Sequence, residues 1–64
     1  MPKRYSSAEL IKIVLADGWY EVSCKGSHHK FRHKVKEGTV IIPHPKKEMP
    51  VGTAERILKM AGLK

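Results

Sequence analysis

Leu10, Ile11, Val14 and Leu15 recur at helical spacing, and Glu9, Lys12 and Asp17 fall largely off that stripe. Ser6-Ser7-Ala8-Glu9 precedes the stripe as a capping box, in which the Ser6 hydroxyl accepts a first-turn N–H while Glu9 reaches back. Gly18 supplies a left-handed stop. The pattern predicts a helix over roughly residues 7–17. The period then drops to two. Tyr20, Val22 and Cys24 alternate with Glu21, Ser23 and Lys25, which predicts a half-buried strand from Trp19 to Lys25 with Cys24 as a small apolar filler. Gly26-Ser27 reads as a tight turn. His28 to His33 reads as a second strand centred on Phe31, and Lys34 to Gly38 turns the chain. Thr39-Val40-Ile41-Ile42 is β-branched and reads as a third strand ended by Pro43. The segment from Pro43 to Pro50 is stiffened by Pro43, Pro45 and Pro50. Ala54, Ile57, Leu58 and Ala61 make a second apolar stripe, predicting a helix from Thr53 to Ala61, with Val51 as its earliest start and Gly62 as its stop.

The order is α-β-β-β-α, an α+β fold. Short connections make the strands a three-stranded antiparallel meander. Each helix has one apolar stripe, so both helices should cover one face of the sheet. The other face is left to water or a ligand.

Length sharpens this picture. At 64 residues the chain is one domain, and a chain this short buries only about 60% of the surface its unfolded form exposes. It has no room for a deep cofactor cleft, and no cofactor is expected. Thirteen Lys+Arg against six Asp+Glu give a formal net charge of +7. That excess points to a polyanionic partner, nucleic acid or an acidic protein. Cys24 is the one cysteine, which excludes an internal disulfide framework and a cysteine-based zinc finger and fits a reducing compartment. Ile13-Val14-Leu15-Ala16 falls far short of the ~20 apolar residues that span a membrane. Lys3 and Arg4 make a basic lead, but Glu9, Lys12 and Asp17 interrupt any signal-peptide core, so a cytoplasmic location is expected.

Candidate chemistry centres on four histidines, His28, His29, His33 and His44. A metal site fits them poorly. His28 and His29 point to opposite faces of a strand, and His29 and His33 lie about 13 Å apart along one. Acid–base work suits them better, since imidazole exchanges a proton near neutral pH. His28 opens its strand and has opposite parity to Phe31, so it should face away from the core, beside Lys25, Lys30 and Arg32. His29 shares the Phe31 face and reads as a packed or hydrogen-bonded structural residue, as does His33 near the hairpin end. Antiparallel pairing with residue sums of 72 or 73 sets His44 opposite His28 or His29. Lys46 and Lys47 follow His44 on the same side of the hairpin. Lys34 and Lys36 read as solvated charge at the far end. The start of the second helix near Gly52-Thr53 could offer N–H groups to a phosphate, with Thr53 as a simple N-cap in the plainer reading. Trp19 and Tyr20 could stack on bases, or pack in the core and at its rim.

These residues, taken in order, resemble the HicA-type toxins of bacterial toxin–antitoxin systems. The resemblance rests on Gly26-Ser27-His28 followed by Phe31, then Val40-Ile41-Ile42-Pro43-His44-Pro45-Lys46-Lys47. Met49-Pro50, Gly52-Thr53, Ile57-Leu58 and Ala61-Gly62-Leu63 complete it, and the opening helix that ends in Gly18-Trp19 fits too. It implies a double-stranded RNA-binding-domain-like fold, a metal-independent ribonuclease acting on mRNA, and a HicB-type antitoxin that covers the active site. The family's catalytic histidine follows the Gly-Ser pair and carries over to His28. RNA contacts by Lys25, Ser27, Lys30, Arg32, His44, Lys46 and Lys47 are an electrostatic expectation from the residues themselves. The expected mechanism uses the RNA 2′-hydroxyl, with His28 as general base, a neighbouring cation stabilising the phosphate charge, and His44 or water as the general acid. A non-catalytic RNA-binding module and an acidic-protein interaction domain are the competing readings.

Overall fold

The computed structural model describes residues 4–64; Lys3 of the basic lead lies outside them, and Arg4 pairs with Glu48. The elements run α1 (Ser7–Ala16), β1 (Tyr20–Lys25), β2 (His28–Arg32), β3 (Val40–Pro43) and α2 (Val51–Met60). The strands form one antiparallel sheet in the order β1-β2-β3.

Helix α1 starts as its sequence dictates. The Ser6 side chain accepts from the Glu9 N–H, and the Glu9 carboxylate accepts from the Ser6 N–H. Leu10 and Val14 are fully buried, whereas Leu15, expected on the same stripe, is 49% exposed. The helix is only ten residues long and offers a narrow seam to the core. Helix α2 begins at Val51, earlier than Thr53. Pro50 stands at its N-cap with φ −52° and no side-chain cap, and its carbonyl accepts from the Ala54 N–H. A proline already holds the φ a helix needs, so the ladder can start there. Thr53 therefore lies inside the helix and is not its cap.

The helices pack against each other and against β3. Phe31, Val40 and Ile42 are fully buried beneath them, with Leu10, Val14, Trp19, Met49, Ala54, Ile57, Leu58 and Ala61. Strand β1 lies outside this cover, and all six of its residues are exposed. The expected buried face of Tyr20, Val22 and Cys24 does not form. A β-bulge between Glu21 and Ser23 leaves Val22 as an extra residue. Such an insertion shifts every side chain beyond it to the other face. Glu21, opposite Phe31, and Cys24, opposite His29, take the helix side, while Tyr20, opposite Arg32, turns to the open side.

At the Gly18 corner, Trp19 is buried, and its indole N–H donates to Asp17. Gly18 has φ +105°, and a Cβ there would stand 2.9 Å from the His33 ring. His33 falls just beyond β2. It accepts the Val35 and Lys36 N–H groups at Nδ1 and donates from Nε2 to the Asp17 carbonyl. Lys36 is not a free surface charge. Its ammonium donates to the Asp17 carboxylate and to the Ala61 carbonyl at the end of α2, joining both helices to the β2–β3 loop.

The Lys36 hydrogen bond holds the Asp17 carboxyl below the usual carboxylate range. A depressed folded-state pKa gives stability that is present above the unfolded value, about 3.9, and is lost as pH falls through the lower folded value. Lys36→Ala should therefore lower the melting temperature at pH 7. The gap to wild type should narrow in acid as Asp17 is protonated, leaving the Ala61 contact as the residue. A gap independent of pH from 7 to below the carboxylate range would contradict this.

Candidate functional site

The Gly26-Ser27 turn fixes the beginning of β2. Gly26 has φ +58°, and Ser27 does not have positive φ. Glycine at the first position of a two-residue hairpin matches the right-handed twist of the flanking strands. His28 then faces Lys25 across the hairpin and Pro43 on its other side. From His28 the strand alternates. His28, Lys30 and Arg32 take the open face, and His29 and Phe31 take the helix side. Complete burial of Phe31 and of its partner Val40 locks that parity.

The open face of the sheet carries Tyr20, Ser23 and Lys25 from β1, then His28, Lys30 and Arg32 from β2, and Ile41 and Pro43 from β3. No carboxylate stands among these residues. Among the described residues Lys25, Lys30 and Arg32 form no ion pair, whereas Arg4, Lys36 and Lys64 are each paired with an acid. Ser23, Lys25, His28, Lys30 and Ile41 line a shallow depression of about 230 Å3. Facing side chains on adjacent strands stand about 4.5–5.5 Å apart at Cβ, so an anion beside His28 is within reach of Lys25.

His44 is placed differently from expectation. The residue sum of the β2–β3 pairing is 71, with His28 opposite Pro43 and His29 opposite Ile42. Pro43 is thus part of the strand. The next rung sets His44 opposite Ser27, and its N–H donates to the Ser27 carbonyl at 2.7 Å. The His44 ring lies on the helix side. It meets the edge of the His29 ring, with centroids 5.3 Å apart, and does not pair with His28. Lys46 lines a separate depression with Arg4, Glu48, Met49, Pro50 and Val51, the first residue of α2, and Lys47 is exposed in the same loop. The structure brings Lys25 and Lys30 together with His28 and keeps Lys46 and Lys47 apart from that depression. Arg32 lies further along the same face, and Ser27 is exposed in the turn.

Ser7 is the contributor that sequence reasoning missed. Its hydroxyl is 2.7 Å from His44 Nδ1, accepts the Lys46 N–H at 2.7 Å and lies 3.1 Å from the Lys46 carbonyl. The Ser7 N–H also donates to that carbonyl. One buried serine thus holds the loop that follows β3 against the start of α1. Two adjacent serines before a helix look alike in a capping pattern, and only the fold shows that Ser6 caps while Ser7 faces inward.

The fold thus sets one exposed histidine among lysine and arginine side chains on the open face of a small α+β domain. Residues 7–63 match the family described as the HicA toxin of bacterial toxin–antitoxin systems. The chain belongs to that family, and it is a toxin of a toxin–antitoxin system. A comparison with curated proteins finds no match to the sequence. No helix among the described residues is long and apolar enough to cross a membrane.

Ser7→Ala removes, from a buried side chain, the acceptor of the Lys46 N–H and a partner of His44. An unmade buried hydrogen bond costs about 1–3 kcal/mol. Denaturant unfolding should show a loss in that range, and a change below about 0.5 kcal/mol, typical of surface positions, would contradict the role given to Ser7.

Proposed function

We propose that this toxin is a metal-independent endoribonuclease that cleaves mRNA at its open sheet face, with His28 as general base. The observation that carries the reading is an exposed histidine flanked by unpaired cations on a face without carboxylates. Family membership supports it. His28 removes the proton of an RNA 2′-hydroxyl, and the freed oxygen attacks the adjacent phosphate. Lys25, across the hairpin, and Lys30, two residues along β2, stabilise the added negative charge. The requirement for a 2′-hydroxyl selects RNA over DNA without base reading. Arg32 extends the phosphate path along β2. The side chains of Lys46 and Lys47 extend it past the hairpin end, beyond the exposed Ser27. His44 is held by Ser7 on the other side of the sheet, so water protonates the leaving oxygen. A HicB-type antitoxin would inhibit by covering the same face.

His28→Ala should lower cleavage by about 10²–10⁴-fold, the usual worth of a general base. Its melting temperature should stay near wild type, because the side chain contributes nothing to the core. His29→Ala should do the reverse, losing stability while keeping cleavage per folded molecule. A stable, inactive His29→Ala beside an active His28→Ala would move the catalytic assignment by one residue. Binding of RNA without cleavage by the wild-type chain would reduce the protein to a binding module. Chelation with EDTA should leave cleavage unchanged, and loss with recovery on adding magnesium or zinc would overturn the mechanism.

RNA affinity should fall steeply with salt, because each phosphate contact contributes about −0.7 to the log–log slope on single strands. Replacing both Lys25 and Lys30 with alanine should flatten the slope by about 1.4. Replacing both Lys46 and Lys47 should flatten it as well, and an unchanged slope there would confine the footprint to the sheet.

A further inference from the structure

The face of the hairpin opposite His28 carries a second group of reactive side chains. Cys24 is the cross-strand partner of His29, and Glu21 stands opposite Phe31 one rung away. In a regular strand, residues three apart such as Glu21 and Cys24 face opposite ways. The bulge at Val22 brings both to the helix side, around one imidazole. Cys24 Sγ lies 3.5 Å from His29 Nε2, and His29 Nδ1 lies 3.0 Å from Glu21 Oε1.

Donor and acceptor chemistry fixes the direction of this relay. A carboxylate only accepts, so Nδ1 carries the proton and donates it to Glu21. Nε2 then presents its lone pair to the Cys24 thiol. The ring is held before any reaction begins. Its side chain is 19% exposed, its edge meets the ring of His44, and Ser7 fixes His44 in turn. Cys24 itself is exposed, with its sulfur also 3.4 Å from the Gly26 carbonyl. The three donor atoms lie within 4.8 Å of one another, a spacing that could suggest a metal ion. However, the thiol and the carboxylate sit on opposite nitrogens of the ring, so one ion cannot take all three as they stand. A nucleophile on a base that is oriented by a third group is instead the arrangement that activates a thiol.

We propose that Cys24 is a nucleophilic thiol, activated by His29 and positioned through Glu21, and that it is a site of reversible S-thiolation by low-molecular-weight disulfides. His29 Nε2 takes the thiol proton while Glu21 holds the charged ring. The Cys24 sulfur attacks one sulfur of the disulfide. The old S–S bond breaks as the Cys24–S–S–R bond forms, and the departing thiolate leaves as RSH with the proton from His29. Cys24 is oxidised and the small disulfide is reduced by the same two electrons. This chemistry suits an exposed sulfur, since it needs neither an enclosed cleft nor donors for an oxyanion.

The test uses the full chain, oxidised glutathione as the disulfide, and mass spectrometry to follow the mixed disulfide at neutral pH. Folded wild type should react at least about tenfold faster than the same chain unfolded in urea, less than the usual ~10²–10⁴ of a general base because an unperturbed thiol is already a few per cent thiolate at neutral pH. Cys24→Ser should form no adduct, and His29→Gln should react at the unfolded rate. Glu21→Ala should fall between His29→Gln and wild type. Its His29 ring should lose the single Nδ1-protonated form in 15N spectra, a change that a packing defect elsewhere would not cause. Equal rates for the folded and unfolded chains would overturn the proposal, as would a His29→Gln variant that reacts like wild type. Should His29→Gln fail to fold, Glu21→Ala decides, because the Glu21 side chain is 44% exposed and its loss leaves the core intact. An unchanged rate in that variant would equally overturn the proposal.

Discussion

Burial of Phe31 is the constraint on which the rest of the molecule depends. Full removal of a phenylalanine side chain from water stabilises a fold by about 1.5–3 kcal/mol, and here its β3 partner Val40 is buried with it. A slip of one residue in β2 would expose Phe31 and bury a lysine or an arginine. The strand therefore has one register, and that register assigns its histidines. His28 goes to the cationic open face, and His29 goes to the helix side. Two adjacent residues of the same type thus acquire different surroundings from a single packing decision two and three residues away.

The Ser7 hydroxyl makes the second decision. The segment after β3 has little regular structure of its own, and a short domain has few contacts to hold it. Ser7 ties the Lys46 backbone and the His44 ring to the start of α1, while Tyr5 and Met49 pair just beyond. His44 in turn supports His29. The buried polar contact therefore runs from α1 through His44 to His29 on the central strand, and it backs the hairpin end from which His28 projects. Lys36, bonded to Asp17 and Ala61, closes the opposite end in the same manner. A core of this size leaves both ends of the sheet to such polar ties.

Periodicity carried most of the fold into view. The two apolar stripes, the Ser6–Glu9 cap and the glycine stops define α1 and α2 to within a few residues, and the alternation around Phe31 places His28 outward. What escaped sequence reasoning has specific physical causes. The bulge at Val22 adds one residue without any glycine or proline to mark it, so simple alternation assigns the faces of β1 wrongly. Register between β2 and β3 depends on how many residues the Lys34–Gly38 turn consumes, and an error there displaced His44 from Ser27 to its neighbours. Lys36 resembles its solvated neighbours in sequence, and only the approach of α1 and α2 gives it partners. The roles of Ser7 and Cys24 arise from side chains that are distant or out of phase along the chain, which no local pattern records.

The chemistry proposed for His28 would leave a signature in its products. Attack by the 2′-hydroxyl on the adjacent phosphate expels the 5′-oxygen of the next nucleotide and closes a ring on the upstream fragment. The most direct measurement is the identity of the RNA ends after cleavage by the purified toxin, read by mass spectrometry. It is paired with a substrate carrying one 2′-deoxy nucleotide at the cleavage site. A 2′,3′-cyclic phosphate upstream, a 5′-hydroxyl downstream and no cut at the deoxy position are the predicted result. A 3′-hydroxyl with a 5′-phosphate, or cleavage at the deoxy position, would contradict it.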